Sequence, residues 1–505
     1  MKTYGGEVME SSSCPGSEAG GQQLGRCKPP ASLRVSVQDS SSFVVDKALL
    51  TQNCEYFRAL FQSGMRECQQ EEVCLRCVGA LGFFVLLQVL NGERPVLSGD
   101  QIVEAIECAA FLQVPALIKH LINIIDSENC LLMYHTAATY GAWELSRHSA
   151  LFIRDMYPDL QEEVRALPRQ LQGHIESLPP SSYMVVCSHS PSSELLQDFQ
   201  RSVCYLDEQT GDWKVLTELP KSASTTMAGV AVLDNKLYII GGVHDVSKKV
   251  VDAGFCYDPA TNEWCTIRSP QQLRYNFTLI GHEGCLYAVG GEYDRKVISS
   301  VERYAAADGS WSFASHLPCP AASVASAKAM SRIFICLWGA KGATEIHEYV
   351  PEKDQWLLVT TLVHQESYGL CMVAHRDNLY VMRNGRCNDF LLCVMDRYNL
   401  SSGQWTAMTG QYGNSKGSLF TAVVRGDSVF TLNRTVTTEF TILDHKWKTR
   451  REMKGSGKVG SMYTFLLRLP EVTLGLVGKP AARTAGQKFG DVDSWRVSTR
   501  CFENM

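Results

Sequence analysis

An aromatic residue followed by a tryptophan seven positions later recurs through the second half of this 505-residue chain. Tyr257 precedes Trp264 in "GFCYDPATNEW", Tyr304 precedes Trp311, Tyr349 precedes Trp356, Tyr398 precedes Trp405, and Phe440 precedes Trp447. A sixth pair, Tyr205 and Trp213, is spaced by eight. The six tryptophans stand 42 to 51 residues apart. A period near 50 fits small sheets stacked around an axis, because one four-stranded sheet has two apolar faces and can bury them only against neighbours.

Each period divides in the same way. "TTMAGVAVLDN", "KLYIIGG", "VVDAGFCYD" and "EWCTI" show the alternation and β-branched enrichment of four successive strands. Gly241-Gly242 ends the second, where the chain must turn sharply and pack close to the next blade. The Tyr and Trp fall on the outer two strands and supply aromatic burial between sheets. The first Trp has only two strands before it, "YMVVCS" from Tyr183 and "SVCYLDE" from Ser202, while "SMYTFLLRLP" from Ser461 is a lone strand after the last. The all-β half is therefore expected to be a six-bladed propeller over residues 181–470, the C-terminal strand completing blade one. Five blades with a stray half-blade is the competing count.

Composition narrows the rest. A net charge of −5 leaves no basic footprint for nucleic acid, and no apolar run reaches the ~18 residues of a membrane span. The first 30 residues lack the apolar core of a signal peptide and read as a disordered tail, as do residues 471–505. The 19 cysteines are scattered among aliphatics, as in "IFICLW", which fits reduced thiols of an intracellular protein better than disulfides. Cys74 and Cys77 form a lone CxxC with no second pair for a metal, and are expected to be buried strand cysteines. No HExxH, P-loop, GxSxG or paired-carboxylate signature is present, so no catalytic residue, metal or cofactor is expected.

Residues 31–125 have a different texture. "LRVSVQDSSSFVVDKALL" alternates like a hairpin, with Leu33, Val35 and Val37 facing one way. "TQNCEYFRALFQSG" puts Cys54, Phe57, Leu60 and Phe61 on one face of a helix stopped by Gly64. "EEVCLRCV" reads as a strand, "LGFFVLLQVL" as an apolar helix, and the run from Asp100 as a helix pair broken at Pro115. This α/β order, with "YFRALFQSGMRE" and "CAAFLQVPALIKHL", resembles the BTB (POZ) domain. "SENCLLMYHTAATYGAWEL" resembles the start of the helical BACK domain, here short, over residues 126–180. The repeats resemble kelch motifs, most specifically in the second and third blades, since "WGAKG", "RNG" and "LNR" replace the diglycine later.

The BTB-BACK-kelch resemblance implies a non-catalytic substrate adaptor of a cullin-3 RING ubiquitin ligase. The BTB half would dock cullin-3 and form a homodimer, and the propeller would hold a protein substrate. Met65 and Glu67, directly after the first long helix, resemble the hydrophobic-x-Glu motif that contacts the cullin. The second reading is a cytoskeletal scaffold that binds actin thin filaments of muscle, cytoplasmic and sarcomere-associated. Loops at one propeller mouth carry the substrate-binding candidates Arg274, Tyr275, Tyr293, Arg295, Tyr368, Ser415 and Lys416, since Arg and Tyr at a concave rim suit partner recognition. A basic run, Lys446, Lys448, Arg450, Arg451, Lys454 and Lys458, reads as a solvated face, or alternatively as a seat for an acidic partner.

Overall fold

A computed structural model describes residues 32–63, 71–189, 200–244, 247–338, 343–363, 367–387, 390–408, 412–413, 420–432, 437–450 and 459–470. Alternation in the first strand, β1 (Ser32–Val37), buries Leu33, Val35 and Val37 on one face. β2 (Ser42–Asp46) pairs antiparallel to it, and β3 (Glu72–Leu75) pairs parallel on its other side. Val73 and Leu75 take the buried face of β3, which turns Cys74 outward; Cys74 and Cys77 are exposed, against expectation.

The helix expected around Cys54 is two helices. Asp46 caps the first, α1 (Lys47–Asn53), its carboxylate accepting from the Ala48 N–H. Cys54 is extended, with φ −120° and ψ 119°, and α2 (Glu55–Gln62) restarts after it. Cys54 and Phe57 are buried as the spacing predicts, and Leu60 and Phe61 pack partly buried against the same core. Two helices, α3 (Ala80–Leu90) and α4 (Gly99–Leu112), pack so closely that a Cβ at Gly82 would collide with the Glu104 backbone. Ser98 and Gln101 form a reciprocal capping box at the start of α4. α5 (Pro115–Asn123) begins at the expected break, where a proline at the first helical position lacks only an N–H that would go unpaired anyway.

Four further helices follow: α6 (Cys130–Tyr140), α7 (Trp143–Asp155), α8 (Gln161–Arg165) and α9 (Arg169–Ser177). One apolar core runs from Leu33 through Leu86, Leu112 and Met133 to Ile175. The sequence division near residue 125 therefore falls inside continuous packing.

Among the described residues the remaining strands form six sheets, each with an antiparallel four-stranded path, and one separate two-stranded ribbon, Glu292–Tyr293 with Lys296–Val297. In five of them the strands follow chain order. In the first blade the innermost strand is Val459–Arg468, paired antiparallel with Ser181–His189, so the expected closure is present. The first strands of successive blades, beginning at Gly229, Thr278, Ala325, Ser367, Thr421 and Val459, neighbour one another in a closed cycle. The aromatic pairs lie directly opposite on third and fourth strands. Tyr257–Trp264, Tyr304–Trp311, Tyr349–Trp356, Tyr398–Trp405 and Phe440–Trp447 have ring centroids 4.9–5.2 Å apart.

Four indoles also reach the blade before. Trp264 Nε1 donates to Thr217 Oγ1, Trp311 to Arg268 O, Trp356 to Ser315 O and Trp405 to Thr360 Oγ1, at 2.8–3.2 Å. In blade one the pairing differs from expectation, because Trp213 faces Leu206, seven residues earlier, while Tyr205 faces Lys214. A spacing of eight puts Tyr205 on the opposite face, where it packs toward blade two.

This up-and-down path sends every turn between first and second strands to one pole, and the helical half sits there. Lys119 on α5 pairs with Glu283 at 3.0 Å, Arg94 meets Met330, and Met156 lies against Gly426. Arg376 reaches Asp126 at 3.4 Å and Asp427 at 3.3 Å, and His375 Nε2 lies 2.9 Å from Asp427. At the closing strand, the Arg468 side chain holds Asp155 of α7 through two bonds of 2.6 and 2.9 Å, while its backbone N–H donates to Asn235 Oδ1 and its carbonyl accepts from Asn235 Nδ2.

Deleting residues 459–505 removes the inner strand of blade one and leaves an unpaired apolar edge. The propeller is expected to lose its cooperative melting transition; an unchanged transition by differential scanning calorimetry refutes the closure's energetic role.

Burial pushes the Asp427 carboxyl up, but hydrogen bonds from His375 and Ser127 and the nearby Arg376 more than offset it, leaving it below the ordinary value. A depressed folded value contributes stability above the unfolded carboxylate value and loses it as pH falls through the folded one. Asp427→Asn should therefore cost about 1.5–3 kcal/mol at neutral pH. The gap to the unmodified chain should shrink below about pH 4, the ordinary carboxylate value, when both are followed by thermal melting.

Candidate functional site

The pole away from the helices carries the long connections. Three of its fourth-to-first-strand loops end on a left-handed residue just before the next inner strand, Met227 (φ 57°), Asn276 (φ 52°) and Ser323 (φ 50°), and in blade five Gly369 (φ 65°) is left-handed within the inner strand itself. Backbone bonds join three of them around the axis, Asn276 N–H to Met227 O and Ser323 N–H to Asn276 O, each 2.7 Å. This ring is the rim of the far mouth.

Two hairpins project from it. In blade two, Val243 pairs with Val250 and the Lys249 carbonyl accepts from His244. In blade three, Glu292–Tyr293 pairs with Lys296–Val297 across a turn whose central residues, Asp294 and Arg295, both have positive φ. Between their roots runs the loop carrying Tyr275, bridged to Glu292 by reciprocal backbone bonds of 3.0 and 2.8 Å. The diglycines are explained here. A Cβ on Gly241 would stand 2.7 Å from Arg274 O, and one on Gly291 would stand 2.8 Å from Tyr275 O. The backbones touch where a side chain would have to be.

Of the rim candidates, Tyr275, Tyr293 and Arg295 come together at this mouth, Tyr275 half-buried and the other two exposed. Tyr368 lies in the first strand of blade five, with its backbone opposite Asn384. Ser415 and Lys416 lie outside the described residues, as do Met65 and Glu67. Arg274 is a correction, since its side chain is 1 % exposed and cannot meet a partner. It donates to Glu302 at 2.5 Å, to Gly290 O and Ser300 O at 2.8 and 2.9 Å, and to Gln272 O. Glu302 in turn accepts from the Gln271 and Gln272 N–H groups. Burial lowers the guanidinium's pKa and Glu302 opposes the shift. Arg274 ties the interblade loop to the blade it enters.

Sequence reasoning missed Trp338. It ends the second strand of blade four, half exposed, where "WGAKG" has lost the glycine that roots the mouth in blades two and three. The basic run is split: Arg450 pairs with Glu439, Lys446 and Lys448 are exposed, and Arg451, Lys454 and Lys458 lie outside the described residues.

The helical half has its own exposed aromatic surface, also missed. Tyr56 on α2 packs on Phe111 of α4 at 5.3 Å. One turn back, Glu107 bonds the Tyr140 hydroxyl at the end of α6; burial pushes its carboxyl up, and that bond opposes the shift. Past Gly141, Trp143 opens α7 with 72 % of its surface exposed. Among the described residues no group of three or more His, Cys, Asp or Glu could hold a metal, and no helix is long and apolar enough to cross a membrane.

Residues 31–129 match the BTB/POZ domain model, and residues 224–271 and 273–318, which cover blades two and three, match the Kelch motif. The chain is 50 % identical to Kelch repeat and BTB domain-containing protein 13 of Homo sapiens over 429 residues, covering 85 % of this chain and 93 % of that protein. The protein of the same name in Mus musculus is 48 % identical over 452 residues, covering 89 % and 98 %. Kelch-like protein 42 of Mus musculus is 31 % identical over 282 residues, about half of each chain.

Removing the Arg274 side chain strands Glu302 without its counter-charge, and Arg274→Ala should cost about 3–5 kcal/mol. Trp311→Ala should cost a similar amount, about 3–5 kcal/mol, as a large core deletion. Tyr293→Ala, at an exposed hairpin, should stay within about 0.5 kcal/mol. Urea melts of the three variants rank these positions, and an Arg274→Ala chain as stable as Tyr293→Ala overturns the assignment.

Proposed function

The chain belongs to the BTB-kelch family, and from that premise we propose that it is a non-catalytic substrate-recognition subunit of a cullin-3 RING ubiquitin ligase. The observation that carries the reading is the polarity of the molecule. The helical half covers the propeller's turn face, which leaves the loop-rich mouth and the aromatic surface of the helical half as two separate exposed surfaces. An adaptor needs two such surfaces, one for the ligase scaffold and one for the substrate. In this reading Trp143, Tyr140, Phe111 and Tyr56 supply the apolar contact for a cullin helix, together with Met65 and Glu67. Tyr275, Tyr293, Arg295 and Trp338 contact the substrate. The transfer chemistry belongs to the recruited enzymes.

Aromatic anchors at the centre of an interface commonly contribute about 2 kcal/mol or more each. Trp143→Asp, and separately Met65→Asp with Glu67→Ala, should therefore abolish cullin-3 co-precipitation while the propeller's melting transition is kept. Retained cullin capture in both variants places the contact elsewhere. Absence of capture by the unmodified chain, with a partner whose abundance does not rise on proteasome inhibition, replaces the adaptor by a cytoskeletal scaffold.

A further inference from the structure

We propose that Cys256 and Cys265 of blade two form a peroxide-responsive dithiol, in which the exposed Cys265 is oxidised first and Cys256 closes a cross-strand disulfide with it. The inference is independent of the ligase reading, since it concerns a modification of the chain itself.

The strand register brings the pair together. The third strand of blade two, Gly254–Asp258, runs antiparallel to the fourth, Glu263–Ile267, and Cys256 stands directly opposite Cys265. Side chains alternate along a strand. Tyr257 and Trp264 pack toward blade one, so the cysteines one position away turn toward blade three, where Cys256 joins Tyr304 and Trp311. Opposed residues on antiparallel strands have Cα atoms about 4.5–5.5 Å apart, inside the range of about 4.4–6.8 Å that a disulfide spans. The two cysteine side chains interact directly, and the Tyr238 hydroxyl donates a hydrogen bond to Cys256. Closing the bond requires no strand to move.

Accessibility divides the roles. Cys265 is exposed, whereas Cys256 is only 5 % exposed. Hydrogen peroxide therefore meets Cys265. The Cys265 sulfur attacks one peroxide oxygen, the O–O bond breaks, and the leaving hydroxide takes up the thiol proton, which gives a sulfenic acid and one water. The Cys256 sulfur then attacks the Cys265 sulfur, and the S–O bond breaks. The departing hydroxyl takes the Cys256 proton and leaves as a second water. Two electrons have passed from the two thiols to one peroxide.

Burial pushes the Cys256 thiol up to about 11, against the hydrogen bond from Tyr238 and the charge of Lys236. Alone it would be a poor nucleophile. Held against Cys265 it needs little thiolate, because well-oriented groups reach effective molarities of about 10⁵ M or more. Other cysteines lack one part of this arrangement. Cys74 is exposed but stands opposite Ser36. Cys187 and Cys204 lie on paired strands, but both are buried and offer no sulfur to solvent.

The test treats the folded full chain with hydrogen peroxide, then alkylates, digests with trypsin and reads masses. Residues 250–268 hold no Lys or Arg before Arg268, so both cysteines fall in one tryptic peptide. That peptide should lack two hydrogens, resist alkylation and regain both thiols with dithiothreitol, while Cys187 and Cys204 stay reduced. Cys256→Ser should leave Cys265 as a sulfenic acid that dimedone traps. Cys265→Ser, at an exposed position, should keep the melting temperature and leave Cys256 reduced, so the test stands even where Cys256→Ser does not fold. Phenylarsine oxide, which bridges adjacent thiols, should shield the pair from alkylation in the unmodified chain and in neither variant. A 250–268 peptide that stays reduced at a dose that fully oxidises free cysteine in the same tube overturns the proposal. So does Cys265 driven to the sulfinic acid without a disulfide, or a disulfide from Cys265 to any other cysteine.

Discussion

Everything distinctive about this molecule follows from the strand order within a blade. Four antiparallel strands cross the ring up and down, so two kinds of connection separate to opposite poles. The first-to-second turns are short, with left-handed residues such as Asp234 and Asn235, or Met330 and Ser331, and they have little freedom to vary. They make a firm platform, and the helical half rests on it through charged pairs at Lys119, Arg376 and Arg468. Connections at the other pole must span the gap between second and third strands or between blades. They are longer, and two of them rise as hairpins.

Arg274, Arg383 and Arg468 in the scaffold have carboxylate partners, and the Arg274–Glu302 pair has further donors and acceptors satisfied by backbone as well. Such a pair adds little net stability over an apolar substitute but is costly to break, so it fixes where the interblade loop sits. The two hairpins hang on a rim held in place by Arg274 and by the close approach of Gly241 and Gly291 to its loop.

Much of this architecture is legible in the sequence, because a repeat writes the same local pattern six times. The Tyr–Trp spacing places those residues opposite each other on neighbouring strands, and the surplus strand after Trp447 announces the closure. The failures have a common cause, which is contact at long sequence separation. Nothing in "LRYN" says that a glutamate 28 residues on receives the arginine. Nothing around Cys74 says which parity of β3 faces the core, nor does "TQNCEYF" show that Cys54 must extend to bury its thiol. Tyr205 is the instructive case, since a spacing of eight already carried the parity change that sends it to the other face. The docking of the helices on the turn pole, and the exposure of Trp143 and Trp338, are properties of the assembled molecule and have no local signature.

Closing the ring with the last strand also sets a schedule. During synthesis the strand from Ser181 emerges early, and its partner is not made until Arg468. At about 5–20 residues per second the gap is roughly 15–60 s. Through that interval Tyr183, Val185 and Cys187, all buried in the finished ring, stand on an edge with no neighbour. The helical half, whose core is complete by Ile175, can fold well before then. The nascent chain is therefore a finished domain trailing an open, sticky sheet, and its yield in a cell should depend on whatever shields that edge until the last strand arrives.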